Sequence, residues 1–482
     1  MKTIKYLFIG ALMTVISAPV MAQVSVDDAI KAIKSSNASN AKETEKVVKQ
    51  AFKAVKKDAG EVAKIGRAYL DVKDTLNARV YADLSIKANK KAAVGYILRG
   101  DIEVLNDNPG EAASWYQNAK YFDPTNAEAY KKYAFIYRGR DPKLAVETLE
   151  ELRTIDPSYP VDAEAGHIYY LSAKKSATYM PLALEYFQKV QLPAYDKLDK
   201  NYMTEYALVA FVSQKNDLSR QIAEHGLKRD PRNAGYNRLV MYNSVELKDY
   251  EKAITYVDRL FNNSDSLEVS TNDYKFAGLA YAGVKNYEEA LKYYTKQLEA
   301  SEDNGTKANV LKVISDTYKA MGDLDNSLAK YEEYLQLNAN ANANDYAGLA
   351  TIYRNMAAEK TGEEQKVAVN KALEIYKSMI EKFPTSADYS NFMSARTIQI
   401  LDPEQKLGLA RPYYEALIAS IEAAGVKSDA DKTRIKEAYS YVGIYLFKFA
   451  NDMEGAKVYF DKLIELDPEN ELAKQVLSTY EK

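Results

Sequence analysis

The chain has 482 residues, 47% apolar and 28% charged, with 65 basic against 68 acidic side chains. Enough apolar mass for a packed core excludes a disordered chain, and the missing basic excess argues against non-specific nucleic-acid binding. With no cysteine and only His167 and His225 as imidazoles, disulfides, thiol catalysis, thiolate metal sites and histidine-rich metal centres are excluded.

The first segment, residues 1–22, reads as a secretory signal peptide. Lys2 and Lys5 precede an apolar run from Tyr6 to Ile16, Ser17-Ala18-Pro19 breaks it, and Val20-Met21-Ala22 offers small residues before Gln23. The run is about half of the roughly 20 residues needed to span a bilayer, which favours cleavage over anchoring. No cysteine follows the cleavage point, so a lipoprotein is not expected, and no later stretch is apolar enough to span. The mature chain is therefore expected to be soluble and either periplasmic or secreted.

Residues 23–57 are expected to form a helical cap, interrupted by the Ser/Asn-rich stretch Ser35–Asn40. Beyond them the sequence repeats. From Gly100, Ala112 lies twelve residues on, Tyr116 sixteen, Ala119 nineteen and Pro124 twenty-four. From Gly278, Tyr281 lies three on, Ala290 twelve and Tyr294 sixteen. Gly66 leads to Tyr69 and Ala78, and Ser315 to Tyr318, Ser327 and Tyr331, at the same offsets. Gly443 leads, with one extra residue, to Ala456, Phe460, Leu463 and Pro468.

Apolar residues spaced by three and four predict two amphipathic helices per unit. Small residues in the first and second helix let the two axes approach, and larger residues further along fill the space beside them. Asp-Pro closes the second helix at Asp123-Pro124, Asp156-Pro157, Asp230-Pro231 and Asp467-Pro468. Asn126, Asn233 and Asn470 then stand where the next helix can be capped.

This pattern resembles the tetratricopeptide-repeat family, and about eleven units of its roughly 34-residue period are expected between Lys57 and Pro468. The resemblance implies an all-α fold: an α-solenoid superhelix of stacked helix-turn-helix repeats with terminal capping helices. The expected organisation is a cap at 23–57, an N-terminal half of the array at 58–304, a C-terminal half with irregular units at 305–468, and a capping helix at 469–482. Irregularities are expected at Lys174–Pro181, at an insertion around Ala358–Gln365, and at Asp402-Pro403 inside a turn. Ala300–Thr306 and Asn338–Asn344 read as weak hinges.

The resemblance also implies a groove lined by the first helices that holds a protein or peptide. Residues placed there are Arg67, Lys131, Phe135, Arg138, Phe211, Arg238, Tyr242, Lys275, Lys312, Lys319 and Arg354, with Phe447 as a further exposed aromatic. Against these bases stand only Asp101 and Asp316 at groove positions, which favours an acidic partner. The carboxylate-clamp subtype needs Lys and Asn one turn apart. Lys275, Lys312 and Lys131 are instead followed by Leu279, Asp316 and Phe135.

Tyr69, Tyr137, Tyr281, Tyr318 and Tyr353 share one repeat offset and are expected in the core. The doublets Tyr169-Tyr170, Tyr293-Tyr294 and Tyr413-Tyr414 cannot both turn inward, so one of each should be partly exposed. Neither histidine has a neighbour at metal-ligand spacing. No carboxylate pair resembles a glycosidase site, and Trp115 is the single tryptophan. The expected function is a non-enzymatic, cofactor-free protein-interaction scaffold of the bacterial envelope. A carbohydrate-binding envelope protein is the alternative.

Overall fold

A computed structural model describes residues 24–480. The segment read from the sequence as a signal peptide, residues 1–22, lies outside the described residues. The described residues form helices in consecutive antiparallel pairs, and the contacts divide the chain into two compact units, one ending at Pro231 and the other beginning at Arg232.

The first unit pairs α1 (Val26–Lys34) with α2 (Ala41–Val55), α3 (Ala59–Asp71) with α4 (Thr75–Ala88), and α5 (Ala93–Leu105) with α6 (Pro109–Phe122). Then α7 (Ala127–Tyr137) pairs with α8 (Pro142–Ile155), α9 (Val161–Ala173) with α10 (Tyr179–Lys189), and α11 (Lys200–Val212) with α12 (Asn216–Leu227). In the second unit α13 (Ala234–Glu246) pairs with α14 (Tyr250–Asn263), α15 (Thr271–Gly283) with α16 (Tyr287–Ala300), and α17 (Asn304–Met321) with α18 (Leu324–Leu337). There follow α19 (Ala343–Glu359) with α20 (Gly362–Lys382), α21 (Ala387–Ile398) with α22 (Arg411–Ala424), and α23 (Asp429–Lys448) with α24 (Met453–Leu466). The last helix, α25 (Glu471–Leu477), packs on α24. Each unit is thus an α-solenoid stack.

The local chemistry accounts for these boundaries. Asp123, Asp156 and Asp467 each end a second helix. The side chains of Asn126, Asn233 and Asn470 accept the amides of Ala129, Tyr236 and Ala473 at 3.2, 3.0 and 3.1 Å, capping the helices that follow. Lys73, Asp107, Gln214, Lys248 and Lys285 adopt left-handed backbone in the turns inside pairs, so these tight turns do without glycine.

Side chains are shared between neighbouring pairs. Tyr116 and Ala119 of α6 join Ala129 and Tyr133 of α7 in one core, and Tyr294 of α16 joins Val310 and Ile314 of α17. Glycines of the first helices form sockets for aromatic rings of the second. A Cβ on Gly100 would lie 2.3 Å from Tyr116 Cε1, and one on Gly278 would lie 2.3 Å from Tyr294 Cε1. Gly166 receives Phe187 in the same way.

The sockets correct the tyrosine assignment. Tyr69, Tyr137, Tyr281, Tyr318 and Tyr353 are only half-buried. The fully enclosed tyrosines include Tyr116, Tyr294, Tyr376 and Tyr414, all on second helices. The first-helix tyrosines pack instead against the edges of the cores, and Tyr69 and Tyr281 stack on Tyr81 and Tyr293 with centroids 5.6 Å apart in each pair. In each doublet one ring is buried (Tyr169, Tyr294, Tyr414) and its neighbour is half-exposed.

The insertion expected around Ala358–Gln365 does not bulge as a loop. It extends α19 to 17 residues and α20 to 21. Asp402 lies in the connection between α21 and α22, where its buried carboxylate accepts the amide of Leu407 at 3.1 Å. The weak points at 300–306 and 338–344 fall within the second unit. Ser301 there bonds Gln297 at 2.7 Å, and Asn342 forms a capping box with Asp345.

Candidate functional site

The first helices of successive pairs carry most of the candidate groove residues, and the structure places an acid beside several of their bases. Arg238 of α13 grips Asp273 of α15 with two bonds, Nε to Oδ1 at 2.6 Å and Nη2 to Oδ2 at 2.8 Å. The Tyr242 hydroxyl donates to the same carboxylate at 2.8 Å. Lys312 of α17 reaches Asp345 of α19 at 2.9 Å, with Tyr334 donating to it at 2.6 Å. Arg396 of α21 holds Glu437 of α23 at 2.8 and 2.5 Å, with Tyr414 donating at 2.8 Å. In the first unit Arg67 of α3 bonds Asp101 of α5, which also receives Tyr116 at 2.6 Å and Lys132 at 3.1 Å.

One device therefore recurs: a buried or half-buried acid, a cation from the preceding first helix, and a tyrosine hydroxyl. Burial pushes the carboxyls of Asp273, Asp345 and Glu437 up, but hydrogen bonds from these partners outweigh it and hold each below its ordinary value. Burial beside the acid pushes the Tyr242 and Tyr414 phenols up.

This pairing revises the basic face read from the sequence. Arg67, Lys131, Arg238 and Lys312 are spent on carboxylates, Lys131 on Asp156 at 3.0 Å. The sequence count missed Asp156, in the turn after α8, and Asp273 and Asp345, in the first turns of α15 and α19, because none of them stands at a position assigned to the groove. Tyr242, expected exposed, is buried and stacks on Phe276 with centroids 4.0 Å apart. Phe211 and Phe447 are half-buried, and Phe447 packs against the C-terminal core. Among the described residues Arg138, Lys275, Lys319 and Arg354 form no ion pair, and Lys275 and Lys319 are exposed. Asp316 is exposed one turn before Lys319.

Phe135 alone among the candidate aromatics is exposed, at 51%, and the Arg138 guanidinium lies 3.9 Å over its ring. It opens onto a cleft of about 290 Å³ lined by Glu128, Lys131, Lys132, Tyr159, Glu164 and Ile168. The Lys131 ammonium lies 4.7 Å over the Tyr159 ring. Behind the cleft His167 Nδ1 sits 2.7 Å from Glu205 Oε2, and Tyr202 donates to Glu164. The hydrogen bond to Glu205 raises the His167 pKa against the opposing effect of burial. Its contribution to stability is full below the ordinary histidine value and lost as pH rises through the folded one. Glu128, Lys132, Tyr159 and Glu164 were not singled out from the sequence. Tyr159 lies in the turn between α8 and α9, where no helical periodicity marks it. His225 Nε2 pairs with Asp196 at 3.1 Å.

No group of three or more potential metal-ligating side chains is gathered among the described residues. No helix there is long and apolar enough to cross a membrane.

The sequence model of the tetratricopeptide repeat matches residues 276–304 and 445–470. No curated protein matches the chain. Similar solved structures include the C-terminal part of a TPR repeat-containing protein from Cytophaga hutchinsonii, 18% identical, covering 57% of this chain and 99% of that one at a TM-score of 0.46. A tetratricopeptide repeat protein from Parabacteroides merdae is 16% identical, covering 53% of this chain and 98% of that one at a TM-score of 0.32.

Proposed function

The chain is a tetratricopeptide-repeat protein, and from that premise we propose that it is a non-enzymatic scaffold exported to the cell envelope, where it holds a segment of a partner protein. Repeats of this family generally mediate protein–protein interaction. Within each unit, stacked pairs bury their cores in one another and leave a first-helix face available to a guest. The observation that carries the reading is Phe135, an exposed ring capped by Arg138 at the mouth of a cleft with both signs of charge. Exposed aromatic and arginine side chains beside a concavity are the residues that dominate protein interfaces. Lys275, Lys319 and Arg354 of the second unit, which form no ion pair among the described residues, supply the cations for an acidic stretch of the guest. Arg67, Lys131, Arg238 and Lys312 serve the fold instead.

Capture of envelope proteins by the purified mature chain tests this. Phe135→Ala with Arg138→Ala should weaken capture of a specific partner about 30-fold, the weight of one interface hot spot. Lys275→Glu, Lys319→Glu and Arg354→Glu together should weaken an acidic partner further, with helix content unchanged. Capture indifferent to both sets of changes would reject the first-helix face.

A further inference from the structure

We propose that one edge of the first unit docks on an anionic lipid surface. The edge consists of the turns between pairs, where α2, α4 and α6 end and α3, α5 and α7 begin. Lys53 and Lys56 close α2, Lys57 follows them, Lys87 stands in the last turn of α4, and Lys90 and Lys91 lie in the turn to α5. All six are exposed, and none forms an ion pair among the described residues.

Contacts join these lysines into one surface. Lys56, Lys57 and Lys87 line a cleft with Phe52 and Leu84, and Lys57 shares an adjoining hollow with Asn89 and Ala92. Phe52 of α2 meets Tyr81 of α4 edge-on with centroids 5.7 Å apart, which holds the two helix ends side by side. The Lys90 carbonyl accepts the Tyr96 hydroxyl at 3.2 Å. Tyr96 stacks on Phe122 of α6 with centroids 5.0 Å apart, and Phe122 meets Tyr121 edge-on at 5.0 Å. Tyr121 is 77% exposed and Phe122 39%, so the lysines run on into two protruding aromatic rings.

Helix chemistry does not account for the cluster. A cation suits the last turn of a helix, as at Lys53 and Lys87. Lys57 and Lys91, however, immediately precede the N-caps Asp58 and Ala92, where the dipole of the next helix disfavours a cation. The nearby acids are engaged: Asp58 accepts the Glu61 amide at 3.0 Å, Glu61 holds Lys64 at 2.6 Å, and Asp123 accepts the Ala93 amide and the Thr125 hydroxyl at 3.3 and 3.0 Å. Further along the same edge Arg153 is paired with Glu150 and Asp162, and Arg229 with Asp196. The residue types select the partner. Every base in the cluster is a lysine, a mobile point charge, whereas the carboxylate of a folded protein favours the arginine fork. Clustered lysines attract the diffuse charge of acidic headgroups, and exposed aromatic rings settle at the level of those headgroups. An edge made of turns can also lie along a flat bilayer.

Flotation of the full mature chain with vesicles of phosphatidylcholine alone, and of phosphatidylcholine with about one-third phosphatidylglycerol, tests the assignment. Binding is expected to the acidic vesicles only, and it should weaken as salt rises. Lys90→Gln with Lys91→Gln should weaken it about 30-fold, roughly fivefold for each charge. Tyr121→Ser, at an exposed position, should weaken it several-fold without a change in melting temperature. Lys73→Gln with Lys143→Gln removes the same charge from the opposite edge, that of the turns inside pairs, and should leave vesicle binding unchanged. No binding to the acidic vesicles, equal binding to phosphatidylcholine alone, or capture of soluble polyglutamate in place of vesicles would overturn the proposal. So would acidic-vesicle binding indifferent to the Lys90 and Lys91 changes or to Tyr121→Ser, or an equal loss from the Lys73 and Lys143 changes.

Discussion

At the scale of single residues, the glycine sockets at Gly100 and Gly278 decide which tyrosine of their pairs enters the core. The repeat pattern placed a tyrosine three residues after the small residue and another sixteen after it, and either could have turned inward. Periodicity cannot choose between them, because both lie near the apolar stripe. The choice follows from the space left by the missing Cβ, which only the second-helix ring fills. Gly278→Ala sets two effects against each other. Alanine gains about 1 kcal/mol in helix propensity, whereas driving a methyl into Tyr294 costs about 1–3 kcal/mol in strain. The contact is with rigid ring atoms, so the variant should melt below the wild type. Gly110→Ala, where an added Cβ meets nothing within 4 Å, should be neutral or stabilising by up to about 1 kcal/mol. Thermal melting of the two variants checks this, and a stabilised Gly278→Ala would dismiss the socket.

At the scale of elements, helices and caps were legible and their electrostatic links were not. Asn126, Asn233 and Asn470 cap as their position after Asp-Pro implied, because capping is local chemistry. The pairing of Arg238 with Asp273 joins residues 35 apart, and no local rule predicts which of many acids a base will meet. Counting bases along one helix therefore overstated the charge left for a ligand. The link from α13 to α15 carries a pH signature. The folded pKa of Asp273 lies below its ordinary value near 4, so its stabilisation is fully present above that value and lost as pH falls through the folded pKa. Asp273→Asn should cost about 3 kcal/mol at pH 7 by stranding Arg238, which is mostly buried. Denaturant melts of both proteins should converge as the pH drops below about 4. A gap that stays constant on acidification would remove the carboxylate from the account.

At the scale of the whole molecule, the period fixed the architecture, while the weakest-looking points proved well tied. Asn338–Asn344 reads as a low-complexity break, yet Asn342 and Asp345 form a capping box and Asp345 anchors Lys312. Composition alone could not show that, because the same asparagines serve a loop or a cap. Cores shared only between neighbours make stability a sum of local terms. Unfolding should depart from a single all-or-none step, with a calorimetric enthalpy exceeding the van't Hoff value. A ratio of one would demonstrate cooperativity through the full chain and contradict that sum.

The cation-to-acid links have a further consequence. Arg67 meets Asp101 after 34 positions, Arg238 meets Asp273 after 35, and Lys312 meets Asp345 after 33. These three spans lie within one residue of the roughly 34-residue module, while the Arg396–Glu437 link, in the irregular part of the array, spans 41. A tandem copy of such a module in the coding sequence would bring along a donor for the block ahead and an acceptor for the block behind. Lengthening or shortening by unequal recombination would leave no stranded charge, so this architecture can change its reach over evolutionary time without first repairing its interior.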